Sequence, residues 1–324
     1  MYFDGVHVQK VAGKDQAMAA LGVATSTDGK KFNPPGSSVF ESPTGAADSR
    51  GFSSAYRNTR GTQVYFARGP FSVDAAQSRS LGYLSIVRLD STIPTGDGGF
   101  TLLTSPAVLA GGTGDSGCPF CTAIDTPVVI PDPDPSLTGG GPNASLMYFA
   151  ALQQVTDFAN NTTYQVAVVR ASSPDGESFV VDASPLLKST AEEQVLYSPR
   201  VIVDGTTYKM FYSLGTEAES ILDPCSALAT FRVGYATSSD GYFWVRSPRN
   251  SSRKTKAIPN PPPAVFDVNT MPGQWDTGRS IQVGSVLPVD GVDPASGLVL
   301  YYTAYERQLT GACMPNGVGR AIRR

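Results

Sequence analysis

The sequence predicts an all-β fold, a five-bladed β-propeller of four-stranded antiparallel blades, and three observations predict it. One phrase is written three times: Ala-Thr-Ser-Thr-Asp-Gly over 24–29, Ala-Ser-Ser-Pro-Asp-Gly over 171–176 and Ala-Thr-Ser-Ser-Asp-Gly over 236–241. Each copy follows a short β-type run and precedes an aromatic residue, Phe32, Phe179 or Trp244. A second kind of segment, aromatic-rich with period 2, occurs five times: Met1 to Phe3, Gln63 to Ala67, Leu146 to Ala150, Tyr208 to Tyr212 and Leu298 to Tyr302. A unit repeated every 60 to 80 residues, roughly, is longer than a hairpin and suits a propeller blade. Composition agrees, because 33 Gly, 25 Pro and 14 Tyr beside 16% charged residues leave few stretches able to form solvated helices.

Within a unit the expected order is an inner strand, the aromatic strand, the Ala-Thr-Ser strand with its Asp-Gly turn, and a short outer strand. Asp-Gly is expected to make tight hairpin turns, since Gly adopts positive φ cheaply. The first unit opens on Met1-Tyr2-Phe3 and continues with Leu21-Gly22-Val23. It lacks an inner strand, and a missing N-terminal segment is expected. The second places an inner strand over Ser53 to Arg57, after Asp48-Ser49-Arg50-Gly51-Phe52. The third reads Thr126 to Ile130, Leu146 to Ala150, Tyr164 to Arg170 and Phe179 to Asp182. The fourth reads Pro199 to Val203, Tyr208 to Tyr212, Phe231 to Ala236 and Phe243 to Arg246. The fifth stops at Val318 to Arg324, where its third strand belongs. The first and last blades are thus expected to be incomplete, within a single propeller domain spanning 1–324.

A hydrophobic content of 41% suffices for a core at 324 residues, and no run of eighteen apolar residues marks a membrane span. The net charge of −3 argues against nucleic acid or an anionic membrane as partner. The basic stretch Arg246 to Lys256 reads as a solvated loop amid Ser and Asn.

No signal peptide is visible in the first twenty residues. Sequons nevertheless occur at Asn143, Asn160, Asn161 and Asn250, and the four cysteines, Cys118, Cys121, Cys225 and Cys313, allow three pairings. Cys118-Pro119-Phe120-Cys121 has metal or redox spacing. Zinc would need a second pair of ligands nearby, and a thioredoxin-like role would need a βαβ context. A loop disulfide in a secreted, extracellular glycoprotein is the expectation.

In a propeller the first strand of each blade lines the central channel, and groups at its lead-in converge with those of other blades. These lead-ins contain Ala123 to Val129, Leu196 to Ile202 and Trp275 to Ile281. Arg200 and Arg279 stand at inner-strand positions, where a guanidinium needs an anionic ligand or forms a structural ion pair with a carboxylate. Tyr197 and Trp275 are candidates to stack on a ligand, although blade aromatics are mostly core. Asp125 before Thr126-Pro127 is a site carboxylate or a turn cap.

Several segments together resemble the five-bladed glycoside hydrolases: the arabinanase and xylosidase-like family 43, the invertase-like family 32 and the mannoside phosphorylase-like family 130. Tyr197 to Tyr212 (YSPRVIVDGTTYKMFY) is similar to a family 130 or 43 blade, and Leu21 to Phe32 (LGVATSTDGKKF) to any of the three. The resemblance implies a carbohydrate-active enzyme that hydrolyses an oligosaccharide or polysaccharide through paired carboxylates. One is protonated beside the leaving oxygen and one ionised opposite, about 5 to 5.5 Å apart for retention or about 6.5 to 9.5 Å for inversion. It matches Asp125 to one carboxylate and makes Asp276 and Glu193, with its neighbour Glu192, further acidic candidates. It implies Arg200, Arg279, Tyr197 and Trp275 as substrate contacts, and no cofactor or metal. Tyr197 stands where a family 43 blade carries an acid, a departure that favours the alternative, a non-catalytic glycan- or protein-binding propeller. Serine, cysteine and zinc hydrolase arrangements fare worse, because the chain has one histidine, His7. Sialidase turns space Asp and Gly by one residue, whereas here they are adjacent.

Overall fold

The computed structural model describes residues 2–11, 13–33, 38, 40–43, 50–74, 79–91, 100–103, 108–110, 117–136, 139–156, 162–190, 195–215, 232–246, 280–289, 297–307 and 313–323. Among these residues every regular element is a strand. The chain divides into two compact units, Met1–Met147 with Ala171–Asp182, and Tyr148–Arg170 with Ala183–Arg324.

The first unit opens with an antiparallel sheet of β1 (Tyr2–Val11), β2 (Lys14–Val23) and β3 (Phe40–Pro43), pairing Tyr2 with Val23 and Leu21 with Phe40. Then β4 (Arg50–Asn58), β5 (Gly61–Asp74) and β6 (Arg79–Ser91) run antiparallel in sequence, and β7 (Thr101–Leu103) and β8 (Leu109–Ala110) both pair with β6. The strand β9 (Ala123–Pro131) meets β6 at Ile124 and Tyr83. Leu21, Val64, Phe66, Val87 and Leu89 form one core, with Phe40, Phe100 and Leu102 packed against it. The alternating apolar residues of β2, β5 and β6 thus face one another. Each fully buried aromatic or aliphatic side chain contributes about 1.5–3 kcal/mol.

In the second unit β10 (Ser145–Thr156) lies beside β11 (Thr162–Ser173); the first residues of β10 and the last of β11 belong to the first unit, where β11 pairs with β12 (Val180–Val181). A parallel bridge joins β11 to β13 (Val195–Asp204) at Val166 and Val195. From there β13, β14 (Thr207–Gly215), β15 (Arg232–Ser238) and β16 (Val245–Arg246) follow one another antiparallel. The last sheet is β17 (Ser280–Pro288), β18 (Leu298–Arg307) and β19 (Cys313–Arg323). Phe211, Val233, Val283, Val286, Leu298, Leu300 and Tyr302 form the core between these two sheets. Met210 to Leu214 are all buried, so β14 is covered on both faces, and both sets of alternate side chains must be small or apolar.

The strands expected in the third and fourth units overlap β9 to β12 and β13 to β16, the outer ones shortened to Val180–Val181 and Val245–Arg246, and the first and last sheets have three strands each. One expectation needs correction. The repeated Asp-Gly segments are not two-residue hairpin turns. Ala171 pairs with Val181 and Thr237 with Val245, so each segment closes a longer loop. The reason is side-chain chemistry. Ser26, Ser173 and Ser238 accept from the N–H of Gly29, Gly176 and Gly241 at 2.8, 2.8 and 2.9 Å. Asp28, Asp175 and Asp240 accept from the N–H two residues on at 2.8, 2.9 and 2.8 Å. A two-residue hairpin loop does form at Gly205-Thr206, between Asp204 and Thr207, with Gly205 at φ 57°, and another at Thr59-Arg60, between Asn58 and Gly61.

Candidate functional site

Three inner strands, β4, β13 and β17, share an irregularity. The β4–β5 register slips between Arg50 and Ser53, that of β13–β14 between Tyr197 and Arg200, and that of β17–β18 between Val283 and Ser285. Such bulges re-aim side chains and end regular pairing where a site is built. Two inner-strand residues have positive φ without being glycine: Thr126 on β9 at 49° and Ser198, within the β13 bulge, at 50°. Both precede proline, in Asp125-Thr126-Pro127 and Tyr197-Ser198-Pro199. A residue before proline is ordinarily extended, and a β-branched one rarely turns left-handed, so this conformation costs of order 1–3 kcal/mol and must be held from outside. Burial holds it in part: Thr126 and Ser198 are fully enclosed, and the Ser198 hydroxyl donates to the Val283 carbonyl at 2.6 Å.

The repeat assigns Asp125 and Tyr197 the same position on their strands, immediately before the strained residue. Asp125, in the first unit, is partly buried, and its Oδ1 accepts from the Thr126 N–H at 2.6 Å. Tyr197, in the second unit, is 5% exposed. Arg200 flanks the same bulge, 7% exposed, with Nε donating to the Gly284 carbonyl at 2.6 Å and Nη1 to the Pro199 carbonyl at 2.7 Å. Its guanidinium therefore ties β13 to the bulge of β17. Among the sequence-derived candidates the structure brings Tyr197 and Arg200 together. Glu193, Asp276, Trp275 and Arg279 lie outside the described residues, as does Glu192.

The lead-in to Asp125 is cross-linked. Cys118 and Cys121 form a disulfide with Cα atoms 5.4 Å apart, both fully buried, and the Cys121 N–H donates to the Cys118 carbonyl at 3.2 Å. The turn ends two residues before β9. Cys225 lies outside the described residues, and Cys313 opens β19. Among the described residues no group of three or more His, Cys, Asp and Glu side chains could hold a metal ion.

A second polar cluster in the first unit is structural in character. Arg88 donates to the Gly176 carbonyl at 2.7 Å and pairs with Asp90 at 2.6 Å, and the Tyr65 hydroxyl shares its one proton between Gln63 Oε1 at 3.0 Å and the Gly176 carbonyl at 3.2 Å. Burial pushes the Tyr65 phenol far above its usual range. Burial opposes the charge of Arg88, and the hydrogen bond and charge of Asp90 more than offset it. These groups hold their charge states fixed and lock the Gly176 loop in place.

Sequence reading missed Thr126 and Ser198, although the shared frame of Asp125 to Ile130 and Tyr197 to Ile202 was visible. Periodicity does not report a φ angle, and only the repetition of Ser/Thr-Pro signalled one.

No protein-family model and no curated protein matches the sequence. Solved structures do match the fold. A glycoside hydrolase is similar with a TM-score of 0.60 at 13% identity, over 98% of this chain and 86% of that one. An α-L-arabinofuranosidase from Lactobacillus brevis is similar at 0.53 and 13% identity, over 99% and 85%. A thermostable family-43 glycoside hydrolase is similar at 0.50 and 15% identity, over 98% and 94%. At these identities the likeness carries the backbone alone, and on it the chain has the fold of the propeller-type glycoside hydrolases represented by family 43.

Proposed function

We propose that residues 1–324 form a single five-bladed propeller that binds an oligosaccharide or polysaccharide and hydrolyses its glycosidic bond. One observation carries this reading. On a fold shared with glycoside hydrolases, an inner strand holds a carboxylate, Asp125, beside a strained residue, Thr126. Strain of this kind clusters where side chains are held in working geometry. Asp125 supplies one carboxyl of the pair, and Asp276 or Glu193 the other, at the mouth where the inner strands begin. Tyr197, Trp275 and Arg279 contact the sugar, and Arg200 braces the strand that carries Tyr197. An extracellular location belongs to the same reading, supported by the Cys118–Cys121 disulfide.

A second reading has its own observation. At the position on β13 that corresponds to Asp125 stands Tyr197, which has no acid to offer, and a propeller that binds glycan without cleaving it accommodates that exchange. The experiment that separates them assays aryl arabinofuranosides, xylopyranosides and galactopyranosides with the wild type and Asp125→Asn. Turnover that falls by at least about 10²-fold in the variant supports hydrolysis. Turnover equal in both removes Asp125 from the mechanism, and glycan binding without turnover supports the second reading.

A further inference from the structure

The three Asp-Gly loops are built alike, yet one displays something the others do not. In each, the aspartate Oδ1 binds the backbone N–H groups that follow the glycine. In the first loop those residues are Lys30 and Lys31, at 2.8 and 3.0 Å; in the third they are Tyr242 and Phe243, both at 2.8 Å. The second loop has Glu177 and Ser178 there. Two of three copies therefore show charged or polar side chains to water, and the third shows aromatic rings. Phe243 is 73% exposed, and Val245 beside it is 69% exposed. The Tyr242 and Phe243 rings meet edge to face at 5.0 Å and 72°, and the Arg170 guanidinium sits over the Tyr242 ring at 4.8 Å.

Folding does not require these aromatics, since the same loop closes with lysines. An exposed Phe forgoes the burial that makes it useful to a core. The backbone beneath is held by the Asp240 bonds, and Arg170 covers one face of Tyr242, so the exposed ring is presented in a fixed orientation. We propose that Tyr242 and Phe243 form a second, non-catalytic saccharide platform. On it the apolar C–H face of a sugar ring stacks on Phe243, and its hydroxyls reach the Tyr242 phenol and Arg170. The chemistry of the patch selects this occupant. A ring face edged by a phenol and a guanidinium matches the apolar face and polar rim of a sugar, and one exposed ring is far smaller than the roughly 800 Å² each partner gives to a stable protein interface. The proposal goes beyond the mouth site and shares with it only the saccharide class of the ligand.

The test is native affinity electrophoresis of the full chain through gels containing soluble linear arabinan or galactan, with Tyr242→Ser/Phe243→Ser and Asp125→Asn compared with wild type. Retardation by one polysaccharide is expected, about tenfold weaker in the double variant and retained in Asp125→Asn, whose platform is intact, with the melting temperature of the double variant close to wild type. Turnover of a short aryl glycoside should be untouched by the double variant, so failure of the mouth site and failure of the platform read separately. Equal retardation of wild type and double variant, or none by either polysaccharide, overturns the proposal. So does a self-associated wild type that becomes monomeric in the double variant, because the patch would then be a protein interface.

Discussion

The Tyr148 hydroxyl donates to the Gly241 carbonyl at 3.2 Å, and the Tyr65 hydroxyl makes the same bond to Gly176, also at 3.2 Å. In both cases the tyrosine comes from an aromatic strand and the carbonyl from the Asp-Gly loop of the following repeat. The aromatic after each loop completes the joint: Phe179 meets Tyr65 edge-on at 6.0 Å, and Trp244 meets Tyr148 edge-on at 5.9 Å. Each inward-turned glycine carbonyl has a second donor beside the phenol, Arg88 at Gly176 and Trp244 Nε1 at Gly241. The recurring phrase that predicts the fold therefore also holds one repeat to the next.

Tyr148→Phe should cost about 1 kcal/mol, because Trp244 Nε1 still donates to the Gly241 carbonyl at 3.2 Å. Gly241→Ala should cost more, about 3 kcal/mol. Its φ is 69°, and an added Cβ would lie 2.8 Å from both Tyr148 Oη and the Tyr208 ring. Gly205→Ala, at φ 57° with open space around it, should cost only about 1–2 kcal/mol. Urea unfolding of the three variants checks the order, and equal losses at the two glycines would refute the close-approach account.

Thr126→Gly should be more stable than Thr126→Ala by about 1 kcal/mol, and Ser198→Gly more stable than Ser198→Ala. In an ordinary strand the ranking is the reverse, since glycine costs roughly 0.5–1 kcal/mol relative to alanine. The positive φ at both sites, 49° and 50°, inverts it. Thermal melts of the four variants decide, and alanine outranking glycine would mean that neither residue is strained.

The three loop aspartates all sit below their ordinary value. Asp28 and Asp175 are lowered chiefly by backbone N–H donors, those of Lys31 and Glu177 foremost. At Asp240 burial is the largest influence and acts upward, but the N–H groups of Phe243 and Tyr242 with the Ser238 hydroxyl outweigh it. A carboxylate depressed in the folded state contributes stability that is fully present above its unfolded value, near 3.8. That contribution is lost as pH falls through the lower folded value. The triple variant Asp28→Asn/Asp175→Asn/Asp240→Asn should therefore lose less stability than wild type below about pH 4. Melting temperature followed from pH 6 downward checks this, and parallel curves for the two proteins would count against it.

Arg200→Met should destabilise the chain by about 1.5–3 kcal/mol, because the buried guanidinium bridges the Gly284 and Pro199 carbonyls. Arg200→Lys should recover little, since one ammonium does not reproduce a planar two-nitrogen clasp. A variant with wild-type melting temperature and weakened saccharide binding would instead assign the guanidinium to the ligand.

By itself the sequence determined that the chain is all-β and repeats one unit, where the strands of the third and fourth units run, and that Asp125 stands at the start of an inner strand. Those features are written in adjacent residues, as alternation, aromatic runs and a recurring phrase. Tertiary structure alone decided that the Asp-Gly segments close long, side-chain-braced loops, that Thr126 and Ser198 turn left-handed, and that Arg200 is spent on the Gly284 carbonyl. It also joined Tyr65 to Gly176 and Tyr148 to Gly241, residues 111 and 93 positions apart. The reason is physical: local pattern sets each strand's preference, whereas the partner of a buried polar group depends on registers and bulges that exist only once the sheets have packed.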